Sequence, residues 1–259
     1  MAMQSLDKSR VTISTPRQVP VVCCCLLWLL LAVPVAEAFA SPSFGLTAIF
    51  LPVRGKTLEP ISESVNRRID LADASDFFVD AFWTGKVGGG SKRLSERQAA
   101  DLRQSQLAEF SRRYVGSQSS EFFIIRNNQQ QVIACAGVEI DRIRDGSMRG
   151  PVLDTAPLMS NLAVSREYRR RGLAEDLVNA VEQHCKNVWG YSECYLYVEE
   201  RNRGAVKLYQ KLGYRTIWRD LNAQTLLPTD RGSLEQVPTR LLCMRKNLNG
   251  GGLFANLFG

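Results

Sequence analysis

The stretch from Leu158 to Tyr214 decides the fold. It reads LMSNLAV at 158–164, SREYRRRGLA at 165–174, CYLYV at 194–198 and NRGAVKLYQKLGY at 202–214. The first and third pieces are short apolar runs, which predict buried strands. The second and fourth pieces lead into amphipathic patterns, which predict helices, and the fourth piece ends at a glycine. The stretch therefore predicts a strand–helix–strand–helix unit.

The turn between the first strand and the first helix has the properties of an anion site. Arg166, Arg169, Arg170 and Arg171 supply positive charge immediately before Gly172. The first backbone N–H groups of a helix have no partner within it, and the helix dipole adds about half a positive charge there. Gly172 lacks a Cβ atom, so an anion can approach the backbone closely. This turn predicts a site for a phosphorylated cofactor.

Two motifs in this stretch resemble those of the GNAT acetyltransferases. Arg169–Ala174 (RRRGLA) resembles the family's Q/R-x-x-G-x-G/A loop, with Ala174 where many members carry glycine. The second motif, N-x-x-A-x-x-L-Y-x-K-x-G-Y/F, is matched at Asn202, Ala205, Leu208, Tyr209, Lys211, Gly213 and Tyr214. The two motifs occur in the family's order with a predicted strand between them. As a fold, the resemblance extends over roughly Asn66 to Lys246.

The resemblance implies a fold, a cosubstrate and a set of site residues. The implied fold is α/β: a mixed, mostly antiparallel sheet of six to seven strands, splayed between two central parallel strands and flanked by about four helices. The implied cosubstrate is acetyl-CoA. Its expected contacts are Leu162, Ala163, Val164, Arg169, Arg170, Arg171, Gly172, Leu173, Ala174 and Asn202. A backbone N–H of residues 162–164 is implied as oxyanion donor. Tyr209 is implied as the general acid, and a buried core tyrosine is the alternative.

The sequence leaves the general base open. Glu139, Glu199 and Glu200 lie near predicted strand ends, where each could act directly or through water, or be a surface carboxylate. His184, the only histidine, lies beside an apolar helical stripe and is interpreted as structural. A site without a dedicated base favours a protein α-amine, with a pKa near ~8, over a lysine, with a pKa near ~10.4.

The acceptor is expected to be a protein or peptide amine. The closest resemblance is to the plastid GNAT protein acetyltransferases, which implies transfer to N-terminal α-amines, with lysine side chains as slower acceptors. One alternative is a small arylalkylamine of the serotonin type. An alternative of another class is a non-catalytic acyl-CoA-binding domain. The sequence indicates no oligomeric state.

Charge and cysteine content narrow the classes of molecule that the protein is expected to bind. The formal net charge is +7, without an RNA-binding aromatic signature or zinc-ligand spacing, so an anionic cofactor is favoured over nucleic acid. Three of the seven cysteines lie at 23–25, in an apolar leader. The others, at 135, 185, 194 and 243, are widely spaced without a C-x-x-C pair. They predict free thiols in a reduced compartment and no metal site.

The N-terminus is predicted to be a bipartite targeting sequence. Basic residues in 1–18, the apolar run Val19–Val35 and the small residues around Glu37 predict a signal peptide over 1–38. Residues 39–60 are transit-peptide-like, since Phe39–Leu58 contains no acidic residue. The junction AEAFASP resembles the presequences of algae with complex plastids. We expect delivery to the plastid stroma and, once the targeting sequence is removed, no stable association with a membrane. The alternatives are the secretory pathway and a membrane anchor.

The GNAT domain is expected over 61–247, with a flexible tail at 248–259. The remaining elements are predicted in this order: a short strand at Asn66–Leu71, a helix from Asp73, a helix capped by Ser95, strands at Glu121–Arg126 and Gln131–Ile140, a loop at Asp141–Ala156, a loop at Asn222–Gln236 and a closing strand at Pro238–Lys246. Three loop aspartates, Asp141, Asp145 and Asp154, are interpreted as solvated, and attraction of a cationic amine is the alternative.

Overall fold

The computed structural model describes residues 51–53, 56–83, 86, 88–90 and 92–249. The predicted signal peptide, most of the transit-like segment and nearly all of the tail lie outside the described residues. Their assignments therefore stay predictions. No helix within the described ranges is long and apolar enough to cross a membrane.

The described part of the chain forms one eight-stranded sheet. Its strands are β1 (Leu51–Val53), β2 (Lys56–Pro60), β3 (Ser120–Arg126), β4 (Val132–Arg144), β5 (Val152–Val164), β6 (Glu193–Glu199), β7 (Arg215–Pro228) and β8 (Leu234–Asn247). Their order across the sheet is β1-β2-β3-β4-β5-β6-β8-β7. The β5–β6 pair is parallel and the other neighbours are antiparallel. The expected mixed, mostly antiparallel α/β sheet is confirmed, with eight strands in the described ranges instead of the expected six to seven. Strands β1 and β2 come from the transit-like 39–60 segment, so the folded unit includes part of it.

Four α-helices flank the sheet. They are α1 (Arg67–Trp83), α2 (Glu96–Tyr114), α3 (Leu173–Asn187) and α4 (Arg203–Lys211). Ser95 caps α2 as expected, because its side chain accepts a hydrogen bond from the N–H of Gln98 at 3.2 Å. Helix α3 has an apolar face that includes the fully buried Leu177 and Val181. These caps and stripes are local features, which is why the sequence predicts these helices.

The two helix pairs cover opposite faces of the sheet. Leu177 of α3 and Tyr209 of α4 belong to one core, which continues into β4, β5 and β6. Phe78 of α1 and Phe110 of α2 belong to a second core, packed against β3 and β4. Burial of a large apolar side chain stabilises the fold by about 1.5–3 kcal/mol. The sheet is thus held between α1–α2 and α3–α4.

The predicted strand at Asn66–Leu71 is wrong, because nearly all of this segment is the first part of α1. The carbonyl of Asn66 accepts hydrogen bonds from the N–H groups of Ile69 and Asp70, at 2.9 and 3.1 Å. Arg126, on β3, donates to the carboxylates of Asp70 and Asp73. This ion-pair cluster joins residues more than fifty positions apart. A local pattern therefore could not reveal it.

Two predicted loops are mostly strand. Strands β4 and β5 run to Arg144 and from Val152, so only the turn between them remains of the loop at 141–156. The N–H of Asp145 closes that turn on the carbonyl of Pro151 at 2.9 Å. Likewise, β7 and β8 fill most of 222–236 and leave a turn at 229–233. The apolar–polar alternation that indicates a strand is absent here, because successive residues in these segments are exposed, including the first four residues of β5.

Candidate active site

The two central parallel strands separate and open a cleft. Strands β5 and β6 pair only at Leu158↔Tyr195 and Met159↔Leu196. Beyond these pairs, β5 continues to Val164 alongside β4, whereas β6 ends at Glu199. The resulting cleft has a volume of about 790 Å³. Its opening follows from a parallel ladder that is only two residue pairs long.

Most of the predicted site residues meet at this cleft. Its lining includes Leu162, Ala163, Val164, Arg169, Arg170, Gly172, Leu173, Ala174, Asn202 and Tyr209. Arg171 is not among the lining residues, and its guanidinium carbon lies 5.3 Å from the ring centroid of Tyr168. The tertiary structure therefore brings the two sequence motifs and the end of β5 around one space.

A bulge shapes the end of β5. Cys135 pairs with Ala163 and Gly137 pairs with Ser160, so two steps along β4 match three steps along β5. The additional residue is accommodated at Asn161, whose φ is 54°. Asparagine tolerates this left-handed region better than most residues. Leu162, which lines the cleft, has no register partner on β4 or β6 within the described chain.

Side chains from α2 hold the bulge in place. The Asn161 side-chain amide is buried and donates to the hydroxyl oxygens of Tyr114 and Ser160, each at 3.1 Å. Burial raises the pKa of Tyr114 to about 12, so its hydroxyl stays protonated. A Cβ atom at Gly137 would lie 2.2 Å from the Tyr114 oxygen. Gly137 therefore leaves the room that Tyr114 needs to reach the bulge.

The turn before α3 places the first amides of the helix at the cleft. Gly172 has a φ of 86° and Arg170 a φ of 61°, and α3 follows directly. The N–H of Asp176 donates to the carbonyl of Gly172 at 3.0 Å, so the amides of residues 173–175 precede the first full helical turn. The first turn contains two acidic residues, Glu175 and Asp176, and Glu175 is ion-paired with Lys211 at 2.8 Å. The donor set suits a phosphate or diphosphate.

Helix α4 contributes Tyr209 to the cleft. The helix begins at an Asn202 cap, where the side-chain oxygen accepts from the N–H of Ala205 at 3.2 Å. Tyr209 is 7% exposed and its ring centroid lies 5.8 Å from that of Tyr214. It packs in the α3–α4 core and lines the cleft as well. The geometry is thus compatible with both interpretations of Tyr209 made from the sequence.

The three candidate bases differ in position. Glu200 does not line the cleft; its carboxylate lies 3.7 Å from both Arg219 and Arg240. Glu139 lines the cleft and is held by Arg113, which donates from Nε at 3.0 Å and also through Nη2. Burial raises the pKa of Glu139, and the Arg113 charge opposes that shift. Glu139 is therefore an ion-paired carboxylate rather than a solvated one.

Glu199 lines the cleft at the end of β6 and is also fully engaged. Its carboxylate accepts from Arg201 Nε at 2.7 Å, from Thr225 Oγ1 at 2.9 Å and from Thr239 Oγ1 at 3.0 Å. Lys86 Nζ lies 3.9 Å from the same carboxylate. The local sequence carries no signal for this network, because β7 and β8 bring in both threonines.

Aromatic residues of α1 form another part of the cleft wall. Phe78 and Phe82 stack with ring centroids 5.0 Å apart, and both line the cleft. Of the three loop aspartates, Asp141 lines the cleft, whereas Asp145 and Asp154 do not. The structure thus places the helix that the sequence predicts from Asp73 along one side of the cleft.

His184 lies away from the cleft. Its ring contacts Phe123 and Trp189 edge-on, with centroid distances of 5.7 and 4.6 Å. Burial lowers the pKa of His184 to about 4, which keeps the ring neutral. The cysteines at 135, 185, 194 and 243 are free and buried. Within the described ranges, no three His, Cys, Asp or Glu side chains are grouped to hold a metal ion.

Comparison with known proteins relates part of the chain to a family. Residues 91–214 match the acetyltransferase (GNAT) family profile and form a GNAT acetyltransferase domain. The fold is similar to that of a spermidine N-acetyltransferase, a SpeG chimera from Vibrio cholerae and hSSAT, with a TM-score of 0.50. That alignment has 14% identity and covers 74% of this chain and 95% of the other.

Two curated relatives each match a short part of the chain. "GCN5-related N-acetyltransferase 4, chloroplastic" of Arabidopsis thaliana is 41% identical over 59 residues, which are 23% of this chain and 20% of the relative. An "N-alpha-acetyltransferase" of Saccharolobus solfataricus is 39% identical over 57 residues, which are 22% of this chain and 34% of the relative. The matches thus span between a fifth and about a third of these relatives' length.

Proposed function

We propose that the protein is an acetyl-CoA-dependent N-acetyltransferase of protein amines in the plastid, with N-terminal α-amines as preferred acceptors and lysine side chains as slower ones. One observation carries the proposal: a single cleft contains the end of β5 that has no β6 partner, the amides that begin α3 and the side chain of Tyr209. An acyl transfer needs an anion grip, an oxyanion donor and a proton source. These three features can supply them.

The cleft residues fit acetyl-CoA. The amides of residues 173–175, with Arg169 and Arg170 nearby, form a donor set for the diphosphate. The stretch Leu162–Val164 lines the cleft and lacks a β6 partner, so its backbone can pair with an amide-rich arm as an added strand would. When bound, acetyl-CoA supplies a thioester carbonyl and a thiol leaving group.

The roles of the chain's own groups follow from this fit. Holding amine and acyl donor in one cleft removes much of the entropic barrier. The N–H of Leu162, at the bulge, is the proposed oxyanion donor. The hydroxyl of Tyr209 is proposed to hold the proton that the departing sulfur takes. A thiol with a pKa of about 8.5 and a phenol with a pKa of about 10 make this transfer nearly balanced.

The hydrogen bonds and ion pairs of Glu139 and Glu199 affect which acceptor amine suits the site. Glu139 is held by Arg113, and Glu199 accepts three side-chain hydrogen bonds, so neither is a free base. An acceptor that is already partly neutral suits such a site. An α-amine with a pKa near ~8 meets that condition far better than a lysine with a pKa near ~10.4. The name of the Saccharolobus solfataricus relative supports the same acceptor class.

A small arylalkylamine is the second candidate acceptor. The stacked Phe78–Phe82 pair favours it, because both rings line the cleft and could contact an aromatic substrate. A competition assay with three acceptors distinguishes the two candidates: a peptide with a free N-terminus, the same peptide with a blocked N-terminus and one lysine, and serotonin. Thiol release and product mass are measured for each.

We expect the free N-terminus to be acetylated fastest, the lysine slowly and serotonin least. Acetylation of serotonin alone would contradict the protein-acceptor proposal. A thermal shift with acetyl-CoA that is not accompanied by transfer to any acceptor would support the non-catalytic acyl-CoA-binding alternative. The two measurements together separate binding from catalysis.

The plastid destination has its own test. Residues 1–60 fused to a fluorescent protein should direct it to the plastid of an alga with complex plastids. Accumulation in the secretory pathway, or retention in a membrane, would contradict the bipartite presequence. The chloroplastic relative from Arabidopsis thaliana supports the plastid proposal.

A further inference from the structure

Lys86 is a buried cation that lines the cleft and that the proposed mechanism does not use. Its side chain is 5% exposed, and its Nζ has no hydrogen-bond partner within the described residues. The ammonium lies over two aromatic rings, 4.7 Å from the centroid of Phe82 and 4.5 Å from that of Trp83. Burying an ammonium group without hydrogen bonds reduces the stability of the fold. A functional role is one reason for the chain to retain such a group.

The carboxylate beside Lys86 does not depend on it. Glu199 lies 3.9 Å from Nζ, beyond hydrogen-bond distance. Arg201 and the hydroxyl groups of Thr225 and Thr239 already bind both Glu199 oxygens. Loss of the Lys86 charge would therefore leave Glu199 with a cationic partner and two hydroxyl donors. The site is built so that Lys86 can be neutralised without exposing an unpaired carboxylate.

Neutralisation would also suit the surroundings of the lysine stem. Lys86 follows α1, and its ammonium lies over the rings of Phe82, which lines the cleft, and Trp83. Its flexible four-carbon stem allows Nζ to move along this wall. Tyr209, the proposed proton source, lines the same cleft. Lys86 Nζ thus belongs to the space into which an acceptor amine must enter.

We propose that Lys86 is a self-acetylation site, modified in cis by acetyl-CoA bound in the same molecule's cleft; this inference rests on the proposed function. The ammonium first loses a proton to solvent. The neutral Nζ then attacks the thioester carbonyl carbon, a C–N bond forms and the C–S bond breaks. The nitrogen then releases its second proton to solvent. The Tyr209 hydroxyl protonates the departing thiolate, and the tyrosine takes a proton back from solvent. The products are acetyl-Lys86, coenzyme A and one released proton.

The test follows lysine acetylation over time after the full chain is mixed with acetyl-CoA. Peptide mapping identifies which lysine is modified at each time. Lys186 is exposed and does not line the cleft, so it reports direct chemical acetylation. Because Lys86 shares the cleft with the donor, it should be acetylated about tenfold faster than Lys186. The rate per molecule should not change when the protein is diluted tenfold, as a cis reaction requires.

Two variants control the assignment. Lys86→Arg should remove the fast modification, whereas Lys92→Arg should retain it; Lys92 lies in the same α1–α2 connection and is ion-paired with Asp230 at 3.4 Å. Lys86 acetylation already present on purification supports the proposal if Tyr209→Phe protein, prepared identically, lacks it. Acetylation at equal levels in both preparations overturns it. The wild-type time course stands even if Lys86→Arg fails to fold.

The remaining outcomes separate this inference from the proposed function. If peptide N-termini are acetylated while Lys86 stays unmodified, or reacts no faster than Lys186, self-acetylation is overturned and the proposed function stands. A rate that falls on dilution overturns the cis reaction. If no coenzyme A is released with any acceptor, the proposed function fails and the inference fails with it.

Discussion

The two walls of the cleft are built in different ways. The α3–α4 wall consists of the turn Arg169–Ala174 and of helix α4 with Tyr209, which are two contiguous motifs. The α1–β4 wall consists of Phe78, Phe82, Lys86 and Glu139, which come from separate segments. Helix α2 supports this second wall from behind through Arg113 and Tyr114.

The two walls differ because one presents backbone groups to the cleft and the other presents side chains. The α3–α4 wall relies mainly on backbone amides, so its requirements are a glycine, a helix start and a few charges in fixed order. The α1–β4 wall relies on buried side chains whose partners are distant in sequence. Its charged groups need specific partners, because burial of an unpaired charge is costly. Local motifs therefore encode one wall, and tertiary contacts assemble the other.

The largest expected effect concerns Arg113, behind the α1–β4 wall. Its buried guanidinium binds Glu139 and also donates to the Ser160 hydroxyl at 3.1 Å. Arg113→Met should reduce the free energy of unfolding by about 3 kcal/mol, because it removes a buried guanidinium and leaves the partly buried Glu139 carboxylate without its partner. Urea denaturation measures the change.

The adjacent Arg112 supplies the control for this prediction. Arg112 is ion-paired with Glu109 at 2.8 Å, but its side chain is 57% exposed. Arg112→Met should change stability by less than about 1 kcal/mol. Equal losses in the two variants would show that the Arg113–Glu139 pair is not a special support of this wall.

The second effect concerns Tyr209 in the α3–α4 wall. Tyr209→Phe should lower kcat for peptide acetylation about 100-fold if the hydroxyl protonates the leaving thiolate. Tyr214→Phe is the matched control, since Tyr214 contacts the Tyr209 ring but does not line the cleft. Unchanged turnover in Tyr209→Phe would leave Tyr209 with the role of a core aromatic.

The third effect tests the backbone of the α3–α4 wall. Gly172→Ala places a Cβ atom on a residue with a φ of 86°, which costs about 1–2 kcal/mol and distorts the amide turn. KM for acetyl-CoA should rise about tenfold, in proportion to that cost. Gly190→Ala introduces similar strain at a φ of 72°, away from the cleft lining. A comparable rise in KM in this control would contradict a local role for Gly172.

The smallest expected effect tests whether His184, on α3, has a structural or a catalytic role. The pKa of His184 is about 4 in the fold and about 6.5 when unfolded, so the unfolded chain binds a proton first as the pH falls. Stability contributed by neutral His184 is present above the unfolded pKa and decreases between pH 6.5 and 4. From pH 7 to 5.5 the loss should be about 1 kcal/mol, and His184→Gln should remove it.

Thermal denaturation of both proteins at the two pH values measures this difference. The pH dependence of kcat should be the same in the variant, because His184 lies outside the cleft. A shifted pH–rate profile would indicate that His184 acts in the reaction and not only in the core.

Some features could be predicted from the sequence because their causes are local. The turn at Gly172, the Asn202 cap and the apolar stripe of α3 each depend on residues within a few positions. The same holds for the Ser95 cap that begins α2. The mixed α/β fold class was implied by the resemblance of the two motifs to the GNAT family.

Asn161 occupies an intermediate position between local and tertiary signals. Its residue type is compatible with a left-handed conformation, and it lies within the stretch that predicts β5. The sequence could therefore have suggested a bulge there. The direction of the bulge depends on Tyr114, which is 47 residues away, and on the space left by Gly137. That information is not contained in the strand itself.

The sequence by itself determined the turn at Gly172, the two motif helices and the strand before each of them, because backbone geometry at glycines and caps depends on neighbouring residues. Only the tertiary structure decided that Asn66–Leu71 is mostly helix, that Glu139 and Glu199 are paired and that Lys86 lies in the cleft. Those outcomes depend on the burial of charges whose partners are far apart in the chain. The energy of a buried ion pair depends on distance in space, which a linear pattern does not record.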